Sequence, residues 1–243
     1  MKFTQIPADT FECIQLNAGI IVDSFTPNTS VLGNIIGATT GGIQFTATPS
    51  FTDFAADIDN AAKNMKEFKR LDQWEAKMSG TFAAVSSDLV QSLVAAGTLT
   101  GRSYIQTEDT AIKPGKKYYT RSGTSPNFVY TQVDNPVIAD IATYYVRAKT
   151  AVEKVTPRPD LDVSDFNDLW WVGDYSNLNG ATNGGFCAIK LMNALSTGGF
   201  QIKSGDKAKG QFGFEYTAHY SIASADTVPF EIYVKIGAAE PTT

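Results

Sequence analysis

The sequence predicts a mainly β protein, an antiparallel sandwich or partial barrel flanked by one α-helix and carrying a small β-rich insertion. Three observations carry that prediction: a two-residue hydrophobic alternation that recurs in four segments, the wide spacing of those segments along 243 residues, and a single clear stretch of helical periodicity. The clearest alternation runs from Leu71 to Val85. Trp74, Ala76, Met78, Gly80, Phe82 and Ala84 fall on one side, and Gln73, Glu75, Lys77, Ser79 and Thr81 on the other. Successive strand side chains point to opposite faces, so this segment separates an apolar core from water and needs partners along its edges.

The same period returns from Gln211 to Ile222, where Phe212, Phe214, Tyr216, Ala218 and Tyr220 alternate with Gln211, Gly213, Glu215, Thr217 and His219. These two segments are expected to pair. Phe230, Ile232, Val234 and Ile236 define a third apolar edge, and Ile43, Phe45 and Ala47 a fourth. Pairing between segments so far apart in the chain is the habit of antiparallel sandwiches and barrels.

Phe11 to Val22 reads as a strand pair or one long bent strand, and Phe25 to Ser30 as a turn. Gly37 to Gly42 delivers the chain into the strand at Ile43. A phosphate loop would need a Lys after the last glycine and then a helix, and neither is there. Between Pro49 and Arg70 the alternation is lost, which predicts a long loop with a short helix around Asp59 to Phe68. Phe51, Phe54, Ile58, Met65 and Phe68 are costly to leave in water, and long loops in compact domains usually serve a function. Ser86-Ser87-Asp88 supplies a hydroxyl cap and a first-turn acid, followed by Leu89, Val90, Leu93 and Val94 on one stripe, with Gly97 as the stop. From Ser103 to Arg147 the texture changes to three short aromatic strands, at Tyr118-Tyr119, Phe128 to Tyr130 and Tyr144-Tyr145. Turns are expected at Pro114-Gly115, Ser122-Gly123 and Asn135-Pro136. The expected organisation is a β-sandwich made of 1–102 and 149–243 with an inserted module at 103–148.

Composition narrows function. With 43% hydrophobic and 12% aromatic residues the chain can bury one good core. Its net charge of −5 gives nucleic acid no basic surface to bind and argues against a protein that reads DNA or RNA sequence. The first residues lack the apolar core of a signal peptide and no later run is long enough to span a bilayer, which predicts a protein folded in a cytoplasm with no membrane partner. Cys13 and Cys187 stand far apart without metal-ligand spacing. Two reduced thiols are the expectation, with a disulfide the other option.

Chemistry is sparse. His219, the only histidine, falls on the polar side of its predicted strand, and neither a Gly-x-Ser-x-Gly elbow nor a dinucleotide fingerprint is present. Asp160 to Asp168 has the acids of a calcium loop but fails its register, with Asp165 where Gly is needed and Trp171 where a bidentate Glu is needed. These observations predict a non-enzyme with no cofactor and no metal. Trp170 and Trp171 are adjacent, so at most one can serve any one surface as a sugar platform.

The run Asn34 to Pro49, followed by Trp74 to Phe82, resembles the N-terminal half of the major tail tube proteins of long, non-contractile-tailed bacteriophages. Gly198 to Ile202, continuing through Lys207 to Tyr220, is similar to the same family. The segment between Ser103 and Arg147 resembles, less closely, an aromatic module found within phage structural proteins. The resemblance implies a virion protein assembled in the host cytoplasm into hexameric rings with a continuous inner β-barrel. These rings stack into a tail tube around a tape measure protein, bounded by tail terminator and distal tail or baseplate proteins, and the tube conducts genomic DNA without reading its sequence. On that implication Gln73, Glu75, Lys77, Gln211, Glu215 and His219 are the candidate lumen-facing residues. Phe51, Phe54, Ile58, Met65 and Phe68 are the candidate ring-stacking loop. The rival reading is a carbohydrate- or surface-binding β-sandwich that uses Trp170 or Trp171 and the aromatic insert. Within the structural class, a contractile-tail tube is the other option.

Overall fold

The structure is a computed structural model that describes residues 14–15, 19–60, 62–114, 116–176, 182–206 and 209–236. The predicted strand residues from Phe11 and the thiol of Cys13 lie outside them. The chain divides into two compact units, Met1–Gly97 with Pro157–Thr243, and Thr98–Thr156. The second unit is wider at both ends than the 103–148 segment marked by aromatic texture.

In chain order the first unit opens with β1 (Ile14–Gln15), β2 (Ile20–Val22), β3 (Phe25–Thr26), β4 (Val31–Leu32), β5 (Ile35–Gly37), and the long strands β6 (Thr39–Asp53) and β7 (Lys69–Phe82). Helix α1 (Ser87–Leu93) and β8 (Gly97–Thr100) lead to the second unit with β9 (Tyr104–Gln106), β10 (Tyr118–Thr124), β11 (Asn127–Val133) and β12 (Tyr145–Arg147). The chain returns through β13 (Lys154–Pro157) to β14 (Asn167–Ser176), β15 (Thr182–Ser196), β16 (Gln201–Lys203), β17 (Gln211–Thr217) and β18 (Phe230–Lys235).

The first unit is mainly one antiparallel sheet with the path β5-β2-β14-β15-β17-β7-β6, plus β1 on β14, β16 on β17 and β18 on β15. β15 joins its two halves. Residues Phe186 to Leu191 pair with β18 and lie opposite β14 on the other edge, while Leu195 and Ser196 pair with β17. The halves face each other across the core: Ile21, Leu169, Trp171 and Leu191 from one meet Met78, Phe82, Phe214 and Tyr216 from the other, with Leu89 and Leu93 of α1 among them. The sheet is not closed into a barrel among the described residues, because β5 and β6 remain at opposite ends of the path.

The two segments expected to pair do so: Met78 lies opposite Tyr216, Gly80 opposite Phe214, and Phe82 opposite Phe212. β6 begins at Thr39, earlier than the predicted start at Ile43. Gly41 and Gly42, with φ of 77° and 87°, form a bulge that shifts the register between Thr40 and Ile43, a backbone that side chains disfavour. α1 forms as expected, with the amide of Leu89 donating to Ser86 Oγ at 3.2 Å. It ends at Leu93, and Ala95, at φ 66°, makes the left-handed turn that Gly97 was expected to make.

Three further expectations need correction. The long loop from Pro49 to Arg70 is shorter, because the β6–β7 ladder continues to the pairs Thr52–Arg70 and Asp53–Lys69. The tip holds only short 3-10 turns at Phe54–Asp57 and Lys66–Phe68 where a helix was expected. On β18 the faces are reversed: Ile232, Val234 and Ile236 are exposed, while Tyr233 packs on Trp170 at 5.4 Å between ring centres. Only Phe230 of that apolar set turns inward, against Phe45 and Trp74.

A second cluster occupies the other side of the β14–β15 half-sheet. Val22, Phe25, Trp170, Val172, Phe186 and Ala188 form it, capped by the β3–β4 hairpin through edge-on contacts of Phe25 with Trp170 and Phe186.

The second unit is a four-stranded sheet in the order β11-β10-β12-β9, and β8 pairs with β13. Tyr118, Ile141 and Tyr144 make its core with Ile112, Val133 and Val146. Tyr104, Tyr119, Tyr130 and Tyr145 pack ring to ring, with Tyr104 and Tyr130 stacked at 4.2 Å. The turn between β10 and β11 falls at Ser125-Pro126 and not at Ser122-Gly123, because Gly123 still pairs with Phe128.

Candidate functional surfaces

The outer face of the β6-β7-β17-β16 half-sheet is a broad polar surface. Along β7 it presents Gln73, Glu75, Lys77, Ser79 and Thr81, and register places Ser50, Thr48, Thr46 and Gln44 of β6 opposite the first four. On β17, Glu215 lies opposite Ser79 and Thr217 opposite Lys77, while Gln211 lies opposite Lys203 on β16. Lys77 Nζ pairs with Glu75 Oε1 at 2.6 Å. That bond raises the Lys77 pKa, with a smaller contribution from the Glu215 charge. Thr197 Oγ1 donates to Glu215 Oε1 at 3.2 Å and shares a 2.7 Å hydrogen bond with the Thr217 hydroxyl. The face is thus rich in hydroxyl and amide groups, with the charges of Glu75, Lys77 and Glu215 already engaged. It offers many weak hydrogen-bonding partners and no convergent acid, base or nucleophile.

Five of the six predicted lumen residues share this face, and His219 does not belong to a regular strand. β17 ends at Thr217, and the chain bends so that the His219 amide donates to the Met192 carbonyl at 3.2 Å. Its Nδ1 lies 3.1 Å from the Asn193 carbonyl and its ring meets Phe166 edge-on at 5.3 Å. The residue is half-buried and structural in its contacts. Sequence reasoning missed Ser50 and Thr197 on this face, although the Gln44, Thr46, Thr48 alternation already pointed to β6.

The β6–β7 hairpin tip carries the second surface. Phe51, Phe54, Ile58, Met65 and Phe68 are all exposed, and Leu71 extends the patch. Lys69 Nζ lies 4.8 Å from the Phe51 ring centre and the Arg70 guanidinium 5.2 Å from that of Phe54, so cations partly cover two of the rings. Asp53 ties the loop together, accepting from the Ala55 amide at 3.0 Å and the Asn64 amide at 2.8 Å. The tip is therefore a braced platform of large apolar groups facing water. Exposed apolar clusters of this kind mark interaction sites.

Other candidates resolve into structure. Trp171 belongs to the main core and Trp170 to the second cluster, both buried, so neither offers a ring to a sugar. Asp162 caps the turn Val163–Asp165, and both oxygens of Asp165 accept from Arg158 Nη2 at 2.6 Å. No group of three His, Cys, Asp or Glu side chains capable of holding a metal occurs among the described residues. Cys187 is a free thiol whose pKa is pushed up by burial. No helix among the described residues is long and apolar enough to cross a membrane. No protein-family model matches the chain, and no curated protein matches it.

Proposed function

We propose that the protein is a structural virion subunit that assembles into stacked hexameric rings, forming the tail tube through which a long-tailed, non-contractile phage passes its DNA into the host. The observation that carries this reading is the pairing of a broad polar sheet face with edges at β6 and β16 that are unpaired among the described residues and an apolar hairpin tip at one end of the same sheet. Side-by-side subunits would join those edges into a continuous inner barrel, satisfying backbone groups that a lone subunit leaves to water. The polar face would then line the lumen, where Gln73, Glu75, Lys77, Gln211 and Glu215 meet passing phosphates without a cationic patch to hold them. Phe51, Phe54, Ile58, Met65 and Phe68 would dock on the next ring. A tape measure protein inside the tube and terminator and distal tail proteins at its ends are the implied partners, with assembly in the host cytoplasm.

Negative-stain microscopy of the purified protein tests this directly. Rings or tubes are expected, and a monodisperse monomer retained on a glycan column would overturn the reading in favour of a binding module. Charge reversal at Glu75 and Glu215 is expected to slow DNA delivery more than it disturbs assembly, read as infectivity against tail length.

A further inference from the structure

The second unit contains a cleft of about 770 Å³, within the size range of ligand sites, where Lys113, Lys116, Arg147 and Lys149 stand around an aliphatic floor that includes Ile105 and Val146. Charge is unevenly distributed along the chain. Thr98–Thr156 holds eight Lys and Arg against five Asp and Glu, a net +3, so the remainder of the chain carries −8.

That excess concentrates at the cleft. Asp109, whose side chain is 7% exposed, is shared by Lys113 Nζ at 2.5 Å and by Lys116 Nζ. Glu153, 9% exposed, is shared by Arg147 and, at 3.7 Å, by Arg102. Two carboxylates thus pair with four cations, of which Lys113, Lys116 and Arg147 line the cleft, and Lys149 has no ion partner among the described residues. The Lys113 bond comes first among the contacts that hold the Asp109 carboxyl well below the usual carboxylate range, so the anchor stays ionised.

The donor geometry selects the anion. The Arg147 fork is spent on Glu153, whereas Lys149 has no ion partner among the described residues and the ammoniums of Lys113 and Lys116 each keep N–H donors beyond their bonds to Asp109. Ammoniums are point charges that suit tetrahedral oxygens approached from several directions, whereas planar carboxylates favour a guanidinium fork. Among the described residues no aromatic side chain lines the cleft, so nucleic-acid bases and sugar rings find no stacking face there. The aliphatic floor suits short carbon links.

We propose that this cleft binds closely spaced phosphate groups of a polyanion that is not a nucleic acid, such as phosphates joined by short polyol links. The site is independent of ring formation, and its failure would leave the assembly reading intact.

The test is calorimetric titration of the full chain with inorganic tripolyphosphate and with a glycerol-phosphate oligomer. Binding of either is expected, weakening with added salt and falling about tenfold in Lys149→Glu. Lys149 is exposed and unpartnered, so that variant should keep the parent circular dichroism spectrum. Lys117→Glu makes the same charge change at an exposed residue next to the lining but not in it, and should cost clearly less than Lys149→Glu. Tighter binding of the oligomer points to an organic polymer as the source, and tighter binding of tripolyphosphate to a free polyphosphate. Equal losses in the two variants would mean diffuse attraction and overturn the site. Equal affinity for polyglutamate, or tighter Lys149-dependent binding of single-stranded DNA, would overturn the ligand class.

Discussion

The ring of Phe214 occupies the space that a side chain at Gly80 would need. The two residues are partners across β17 and β7, and a Cβ at position 80 would lie 2.8 Å from Phe214 Cζ and 3.1 Å from the Gly42 carbonyl oxygen. Phe214 cannot retreat easily, because its ring packs on Phe82 at 4.4 Å. Gly80→Ala is expected to destabilise the first unit by about 1–3 kcal/mol through overpacking. Urea unfolding measures this, and a loss below about 0.5 kcal/mol would show that the core yields more readily than the contact suggests.

The hairpin tip should separate folding from assembly. Ile58 and Met65 are exposed and contribute little to the subunit core, so Ile58→Asp combined with Met65→Asp should shift stability by no more than about 0.5 kcal/mol. The same pair should abolish tube formation while leaving a soluble subunit. Melting temperature and microscopy on one preparation decide the matter, and normal tubes would remove the tip from the interface.

Ser86 anchors α1 through its hydroxyl, and α1 delivers Leu89 and Leu93 to the core. Ser86→Ala should cost about 1 kcal/mol, and Ser86→Gly only a few tenths. No loss in either variant in chemical denaturation would mean that the side-chain bond to Leu89 contributes nothing.

Tyr216 sets an alkaline limit. Burial pushes its phenol up to about 12, against the opposing effect of its 2.9 Å hydrogen bond with Ser92 Oγ. An unfolded tyrosine ionises near about pH 10, so the folded state favours the neutral form. The stability this provides is complete below that pH and is lost as pH rises towards about 12. Tyr216→Phe should flatten stability over that window and cost about 1 kcal/mol near neutrality. Unfolding free energies of both proteins between neutral and strongly alkaline pH test the sign, and parallel curves would contradict it.

What the sequence made legible follows from how each segment is solvated. β7 and β17 each have one wet face and one dry face, so their alternation named the core residues Met78, Phe82, Phe214 and Tyr216 correctly. β18 also alternates, but its partner β15 has both faces covered, by the main core on one side and the Phe25 cluster on the other. Periodicity there gives two faces without saying which is inside, and Tyr233 took the inward place that Ile232 and Val234 were expected to fill. Beyond Pro49 the hairpin has water around most of its surface, so hydrophobic patterning faded while the backbone ladder continued to Asp53. His219 was misplaced because Asn193, at φ 48°, offers it a carbonyl through an irregularity in β15 that no local pattern announces. The cationic cleft was equally hidden, since Lys113 and Lys116 meet Arg147 and Lys149 only after β12 folds back beside β10.

Because β15 hydrogen-bonds to β14 and β18 along its first part and to β17 near its end, neither half of the sheet can peel away alone. Pulling out either half strips donors and acceptors from the strand on which the other depends. The first unit should therefore resist local fraying near this joint and come apart there in a single cooperative event, with β15 amides among the last to exchange with solvent deuterium.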